Sequence, residues 1–322
     1  MDIIKSIINR AKQVNATIVL PEANLDERVK TAAEIILKKN ISKLIVFGKS
    51  SDYPNSFVVN GNCQIIDIPT YQKLEELTNQ LYEIRKEKGM SLEDAKKYIQ
   101  KPEYFAMMLL KNNLADGVVA GAKFSTADTL RPALQIIKTK KDKKIVTGNM
   151  LMVKKNYRPL VLGDVSLIEK PTSEQLGEIA ISNAEFMQKI VGFEPRIAML
   201  SYSTKGSAKG EMIDHVVNAT NYAKQNSNYI IDGEMQADTA FDEITAVRKG
   251  ISKEVGGKAN VLIFPDLNAG NIGYKITARL GGFAAIGPIM LNFNKPVNDL
   301  SRGCTVEEIV NTVCITKLQV ER

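Results

Sequence analysis

The chain has 322 residues, 44% hydrophobic and 25% charged, with a formal net charge of +7. That length suits one large domain or two ordinary ones, and the composition is that of a globular protein. No apolar run is long enough to span a bilayer, and the short lysine run Lys138–Lys144 has no interleaved aromatics, so neither a membrane nor a nucleic acid is expected as partner.

The amino-terminal residues lack the pattern of a secretory signal, and Ile3, Ile4, Ile7, Ile8 and Ala11 recur at helical spacing instead. Cys63, Cys304 and Cys314 are odd in number and form no metal-ligand pattern, which points to a reducing cytoplasm. His215 is the single histidine and lies in a helix-like run. A histidine-centred triad or a multi-histidine metal site is therefore not expected.

Strands and helices are predicted to alternate, the pattern of an α/β fold with mainly parallel sheets. Strand Thr17–Leu20 ends at Pro21-Glu22, and a helix spans 27–39. Strand 43–47 ends at Gly48, and turns with a short strand occupy 51–66. A long helix spans 73–86. Gly89 breaks it, and Ser91 with Asp94 caps its successor. Strand 115–121 precedes a helix at 129–138, with Pro132 in its first turn. Further strands are expected at 145–153, 160–163, 196–201, 229–232 and 260–264, and helices at 173–191, 209–225, 272–281 and 306–318. No solenoid repeat, P-loop or glycine-rich dinucleotide motif is found.

Four constellations could carry chemistry. The run Lys295–Thr305 sets Ser301, Arg302 and Gly303 ahead of the last helix. A helix start offers free N–H groups, a guanidinium fits phosphate or carboxylate, and glycine permits close approach. This is an oxyanion site on physical grounds alone. The run Gly121–Pro132 follows a strand with Ser125, Thr126, Thr129 and Arg131, which suits a phosphate cradle or a set of helix caps. Arg85-Lys86-Glu87-Lys88-Gly89 reads as a charged helix end. Phe264–Lys275 contains Asn271, Gly273 and Tyr274 in a strand-to-helix loop, where open α/β sheets place ligands. Asp232 and Glu234 are carboxylates at strand spacing, with no ligand cluster to make them a metal site.

These runs, in this order, closely resemble the phosphate acetyltransferase family, and the resemblance spans essentially the whole chain. It implies reversible acetyl transfer between acetyl phosphate and coenzyme A. It implies two α/β domains around a cleft, similar in architecture to isocitrate and isopropylmalate dehydrogenases: residues 1–146 with 299–322, and residues 147–298. It implies a homodimer whose ligands are small molecules (coenzyme A, acetyl phosphate and phosphate), with no permanently bound cofactor and no divalent metal. Ser301 and Arg302 would serve the reacting phosphate. Arg85, Ser125, Thr126, Thr129, Arg131, Asn271, Gly273 and Tyr274 would bind substrate. The family's proposed base is an Asp seven residues after the motif serine; here that position is Glu308, which also completes a capping box with Thr305. Glu307 is the alternative base. A phosphate butyryltransferase and a non-catalytic acyl-phosphate-binding regulator are the other readings.

Overall fold

The computed structural model describes residues 2–320. Residue 1 and residues 321 and 322, the ends of the first expected domain, lie outside the described residues. In chain order the elements are α1 (Ile3–Gln13), β1 (Thr17–Leu20), α2 (Glu27–Lys38), β2 (Lys43–Phe47), α3 (Asn55–Val58), β3 (Cys63–Ile66), α4 (Leu74–Arg85), α5 (Leu92–Tyr98), α6 (Pro102–Lys111), β4 (Gly117–Ala120) and α7 (Thr126–Pro132). Then come β5 (Thr147–Val153), β6 (Leu160–Gly163), α8 (Ser173–Phe186), β7 (Arg196–Leu200), α9 (Glu211–Gln225), β8 (Ile230–Met235), α10 (Ala237–Phe241), α11 (Glu243–Arg248), β9 (Val261–Ile263), α12 (Leu267–Gly281) and β10 (Ala284–Leu291). The chain closes with β11 (Val297–Asp299) and α13 (Val306–Leu318).

Two compact units result, one of Ile4–Lys140 with the segment from Phe293 to α13, the other of Lys141–Asn292 with Asp2 and Ile3. The first holds a sheet in the order β11-β4-β1-β2-β3, parallel throughout. Both faces are covered, so its strands are short aliphatic runs such as Ile18-Val19-Leu20 and Leu44-Ile45-Val46-Phe47, all buried. Helix α6 is buried along Glu103–Leu110. It is apolar on nearly every side, so it shows no amphipathic period by which the sequence would reveal it.

The second unit holds a sheet in the order β10-β5-β6-β9-β7-β8. This sheet is mixed: β5 runs antiparallel to both neighbours, while β6, β9, β7 and β8 run parallel. A short connection without a helix joins β5 to β6, and such a link can only reverse the chain.

Two helix starts also differ. The helix expected at 129–138 begins at Thr126, because Ser125 and Asp128 form a capping box. Pro132 therefore ends α7 instead of opening it, and a wide π turn follows at Ala133–Ile137. The helix expected at 272 begins at Leu267, because Asp266 accepts a hydrogen bond from the Ala269 amide.

Candidate active site

The carboxyl ends of β1, β4 and β11 stand side by side in the first sheet. Beyond β4, Gly121 takes φ +104, and a Cβ there would lie 2.2 Å from Asp299 Oδ1. Glycine is required here on both counts. The amides of Gly121, Ala122, Lys123 and Phe124 all donate to the carboxylate of Glu22, at 2.7–2.9 Å. The nest that the sequence suggested for a phosphate is thus filled by a buried protein carboxylate. Glu22 shapes the loop, and the loop offers hydroxyls in place of amides.

Those hydroxyls have separate tasks. Ser125 Oγ accepts from the Asp128 amide as the α7 N-cap and donates to Asp128 Oδ2. Thr126 Oγ1 donates to Asp299 Oδ2 at 2.7 Å. Thr129 Oγ1 is buried near the same carboxylate, and neither it nor Asp299 Oδ1 completes a hydrogen bond. Burial pushes the Asp299 carboxyl up to about 6, opposed by the Thr126 bond and reinforced by the Glu22 charge.

Asp299 ends β11 and leads into the Ser301 turn. The Leu300 amide donates to Ala120 O at 2.7 Å, and the Cys304 amide to Ser301 O at 2.9 Å. Ser301 Oγ accepts from the Gly303 amide at 3.3 Å. Ser301, Arg302 and Gly303 are exposed, and no side chain among the described residues pairs with the Arg302 guanidinium. The turn ends in a capping box: Glu308 Oε2 accepts from the Thr305 amide at 2.8 Å, and Thr305 Oγ1 from the Glu308 amide at 3.2 Å. Glu308 Oε1 has no protein partner among the described residues. Burial holds the Cys304 thiol high, at about 11, so it is no nucleophile at neutral pH.

In the same unit a cavity of about 290 Å³ is lined by Arg85, Lys88, Tyr98, Tyr104, Arg131 and Gln135 among others. It brings together Arg85 and Arg131, which the sequence could place only on separate helices. Arg85 Nε is buried without a hydrogen-bond partner, a cost that an anion would offset. Two guanidiniums, an ammonium and two phenols suit a ligand with several negative charges.

Asn271, Gly273 and Tyr274 belong to the other unit, on α12. Asn271 donates to Val165 O at 3.0 Å. Gly273 abuts the Phe264 ring, where a Cβ would come within 2.8 Å. Tyr274 packs partly against the core beneath that helix. The two strand-spaced carboxylates hold the β7–α9 loop. Lys205 Nζ donates to Asp232 Oδ1 at 2.6 Å, and Ser203 and the Gly206 amide donate to Glu234 Oε1. Burial raises the Asp232 carboxyl, but Lys205 and two backbone amides outweigh it and hold the group below its ordinary value. Among the described residues no group of three or more His, Cys, Asp or Glu side chains could hold a metal ion. His215 Nδ1 pairs with Ser173 Oγ within the second unit.

Sequence reasoning missed Glu22, Arg28 and Asp299. Only their position offered a signal: Glu22 follows β1 and Asp299 ends β11, at the edge where a parallel sheet places its ligands.

The family model described as Phosphate acetyl/butaryl transferase matches residues 2–317. A phosphate acetyltransferase of Acetivibrio thermocellus is 45% identical, covering 100% of this chain and 99% of that protein. The crystal structure of a phosphotransacetylase from Streptococcus pyogenes superposes with a TM-score of 0.90 at 42% identity, covering 98% of each chain. A branched-chain phosphotransacylase from Enterococcus faecalis shares the fold, with a TM-score of 0.67 at 18% identity over 95% of this chain and 100% of that one.

Proposed function

Because the chain belongs to the phosphate acetyl/butyryl transferase family, we propose that it moves an acetyl group reversibly between acetyl phosphate and coenzyme A. The observation that carries this reading is the Ser301–Arg302 turn: a hydroxyl and an unpaired guanidinium, exposed together at the carboxyl edge of a parallel sheet. The coenzyme thiolate attacks the acyl carbon. A carbon–sulfur bond forms, the carbon–oxygen bond to phosphate breaks, and phosphate leaves with the electron pair. Arg302 stabilises the charge growing on that phosphate, and Ser301 hydrogen-bonds the reacting groups. The free Oε1 of Glu308 takes the thiol proton while Oε2 keeps the cap, so base and cap are compatible in one side chain. Arg85 and Arg131 hold the anionic coenzyme in their cavity, and Ser125, Thr126 and Thr129 contribute to substrate binding from the start of α7. No step in this scheme needs a metal ion or a covalent enzyme intermediate.

Several relatives named phosphate acetyltransferase at 41–45% identity favour acetyl over butyryl as the acyl group. The test is thioester absorbance with acetyl phosphate and coenzyme A, repeated with butyryl phosphate and with a chelator. Faster turnover of the butyryl substrate, or none of either, counts against this reading.

The same proposal includes a homodimer in the cytoplasm. Ile272, Ile276 and Leu280 recur every four residues along α12 and are exposed, Leu280 by 85%. Ile244 and Val247 are exposed on α11, and both helices pack on one core cluster through Tyr274, Ala278 and Ala246. Such a stripe suits an interface between copies. Three unpaired cysteines suit a reducing compartment. Light scattering of the intact protein, and of Ile276→Lys, reads the assembly directly.

A further inference from the structure

Arg28 stands in the first turn of α2, distant in sequence from every run singled out above. Its guanidinium spends all five donors on the protein. Nε donates to Asp26 Oδ1 at 3.1 Å, and one terminal nitrogen to Asp26 Oδ2 at 2.7 Å and Ala122 O at 2.9 Å. The other donates to Arg302 O and Cys304 O, each at 2.8 Å. Those two carbonyls flank Gly303. Asp26 is itself fixed, since it caps α2 by accepting from the Arg28 amide. The planar fork therefore bolts the Ser301 turn to the α2 N-terminus and, through Ala122, to the loop organised by Glu22. With every donor engaged, Arg28 is not a phosphate ligand, although the side chain keeps 35% of its surface exposed. Glycine at 303 makes the tie necessary. A residue without a side chain leaves the turn many backbone states, and two anchored carbonyls remove most of them.

We propose that Arg28 is a positioning residue for Arg302, fixing the backbone on both sides of Gly303 so that the guanidinium of Arg302 points at the phosphate. This rests on the reading that Arg302 receives phosphate. A lysine at 28 has the charge but only three donors on one nitrogen, and it cannot span two carbonyls, a third carbonyl and a carboxylate in one plane.

The test is a double-mutant cycle of Arg28→Gln and Arg302→Ala, with Arg28→Lys as the variant that keeps the charge beside Asp26. Arg28→Gln should lower kcat roughly 10–100-fold through misplacement of the clamp, with the Michaelis constant for acetyl phosphate raised more than that for coenzyme A. In the Arg302→Ala background the same change should cost less than about threefold. Arg28→Lys should fall between wild type and Arg28→Gln, with a thermal midpoint near wild type. Titration calorimetry with inorganic phosphate reads the turn without turnover. Weaker phosphate binding in Arg28→Gln, with no added loss in the double variant, supports the proposal even if the acyl-transfer reading fails. Equal losses from Arg28→Gln in both Arg302 backgrounds, or wild-type kinetics and phosphate binding in Arg28→Gln and Arg28→Lys, overturn it. Should Arg28→Gln not fold, the Arg28→Lys cycle decides on the same criteria.

Discussion

Thr126 Oγ1 donates a 2.7 Å hydrogen bond to Asp299 Oδ2, tying the first residue of α7 to the last residue of β11. Asp299 is 1% exposed, and its other oxygen has no hydrogen-bond partner. The carboxyl is pushed up to about 6, chiefly by burial, against about 3.9 in an unfolded chain. The folded state therefore holds this proton more tightly. The resulting stabilisation, on the order of 3 kcal/mol, is complete below about pH 4 and is lost as pH rises through about 6. Asp299→Asn keeps an acceptor for Thr126 and cannot ionise. Its stability relative to wild type should therefore improve as pH rises from about 4.5 to about 7.5. Urea midpoints at the two pH values measure this, and parallel profiles would show that Asp299 titrates normally.

Arg302→Ala should weaken acetyl phosphate binding and lower turnover while the protein stays folded. The side chain is exposed and makes no protein contact that folding depends on. Arg302→Lys restores the charge without the fork, so its rescue should be partial. Wild-type kinetics in the lysine variant would show that a point charge is enough.

Strands β1 and β2 of the first sheet were legible because each is a short aliphatic run closed by a turn: Thr17–Leu20 before Pro21, Lys43–Phe47 before Gly48. Helix α6 was not, since it is buried along Glu103–Leu110 and has no polar face to set a period. Strand β11 is only three residues, and β10 carries Gly287-Pro288 in its middle, a breaker that local reading takes for a turn. The same split runs through the site. Ser301 and Arg302 are adjacent, so their chemistry shows in one short run. Arg28 reaches partners 94 and 276 residues away, and Glu22 partners about a hundred away. No local pattern encodes such contacts; they exist only once parallel strands bring their carboxyl ends together.

Arg85 and Arg131 line one cavity, so their effects should be coupled. Replacing either with Ala should raise the apparent Michaelis constant for coenzyme A roughly 10–100-fold, the range of a lost charge-assisted hydrogen bond. Added salt should narrow the gap to wild type by screening the remaining attraction. The double variant should lose less than the product of the single losses. Steady-state kinetics at two ionic strengths reads all three. Unchanged constants in Arg85→Ala would return that residue to the role of a charged helix end.

Glu308 carries two roles that one pair of variants separates. Its Oε2 closes the capping box with Thr305, and its Oε1 is free of protein partners among the described residues. Glutamine is also accepted at this capping position, and its amide oxygen can still receive the Thr305 N–H. Glu308→Gln should therefore keep the thermal midpoint near wild type. If the carboxylate takes the coenzyme thiol proton, turnover should still fall by roughly 10²–10⁴-fold. The loss should shrink at high pH, where solvent ionises the thiol and a base is no longer needed. Glu308→Asp retains a carboxylate one methylene shorter and should keep most of the activity. A variant that lost only the cap would behave in the opposite way. Glu308→Ala would then be destabilised by about 0.5–2 kcal/mol, with activity per folded molecule intact. In that event Glu307→Gln is the next variant to assay, because Glu307 is the neighbouring exposed carboxylate in the same first turn.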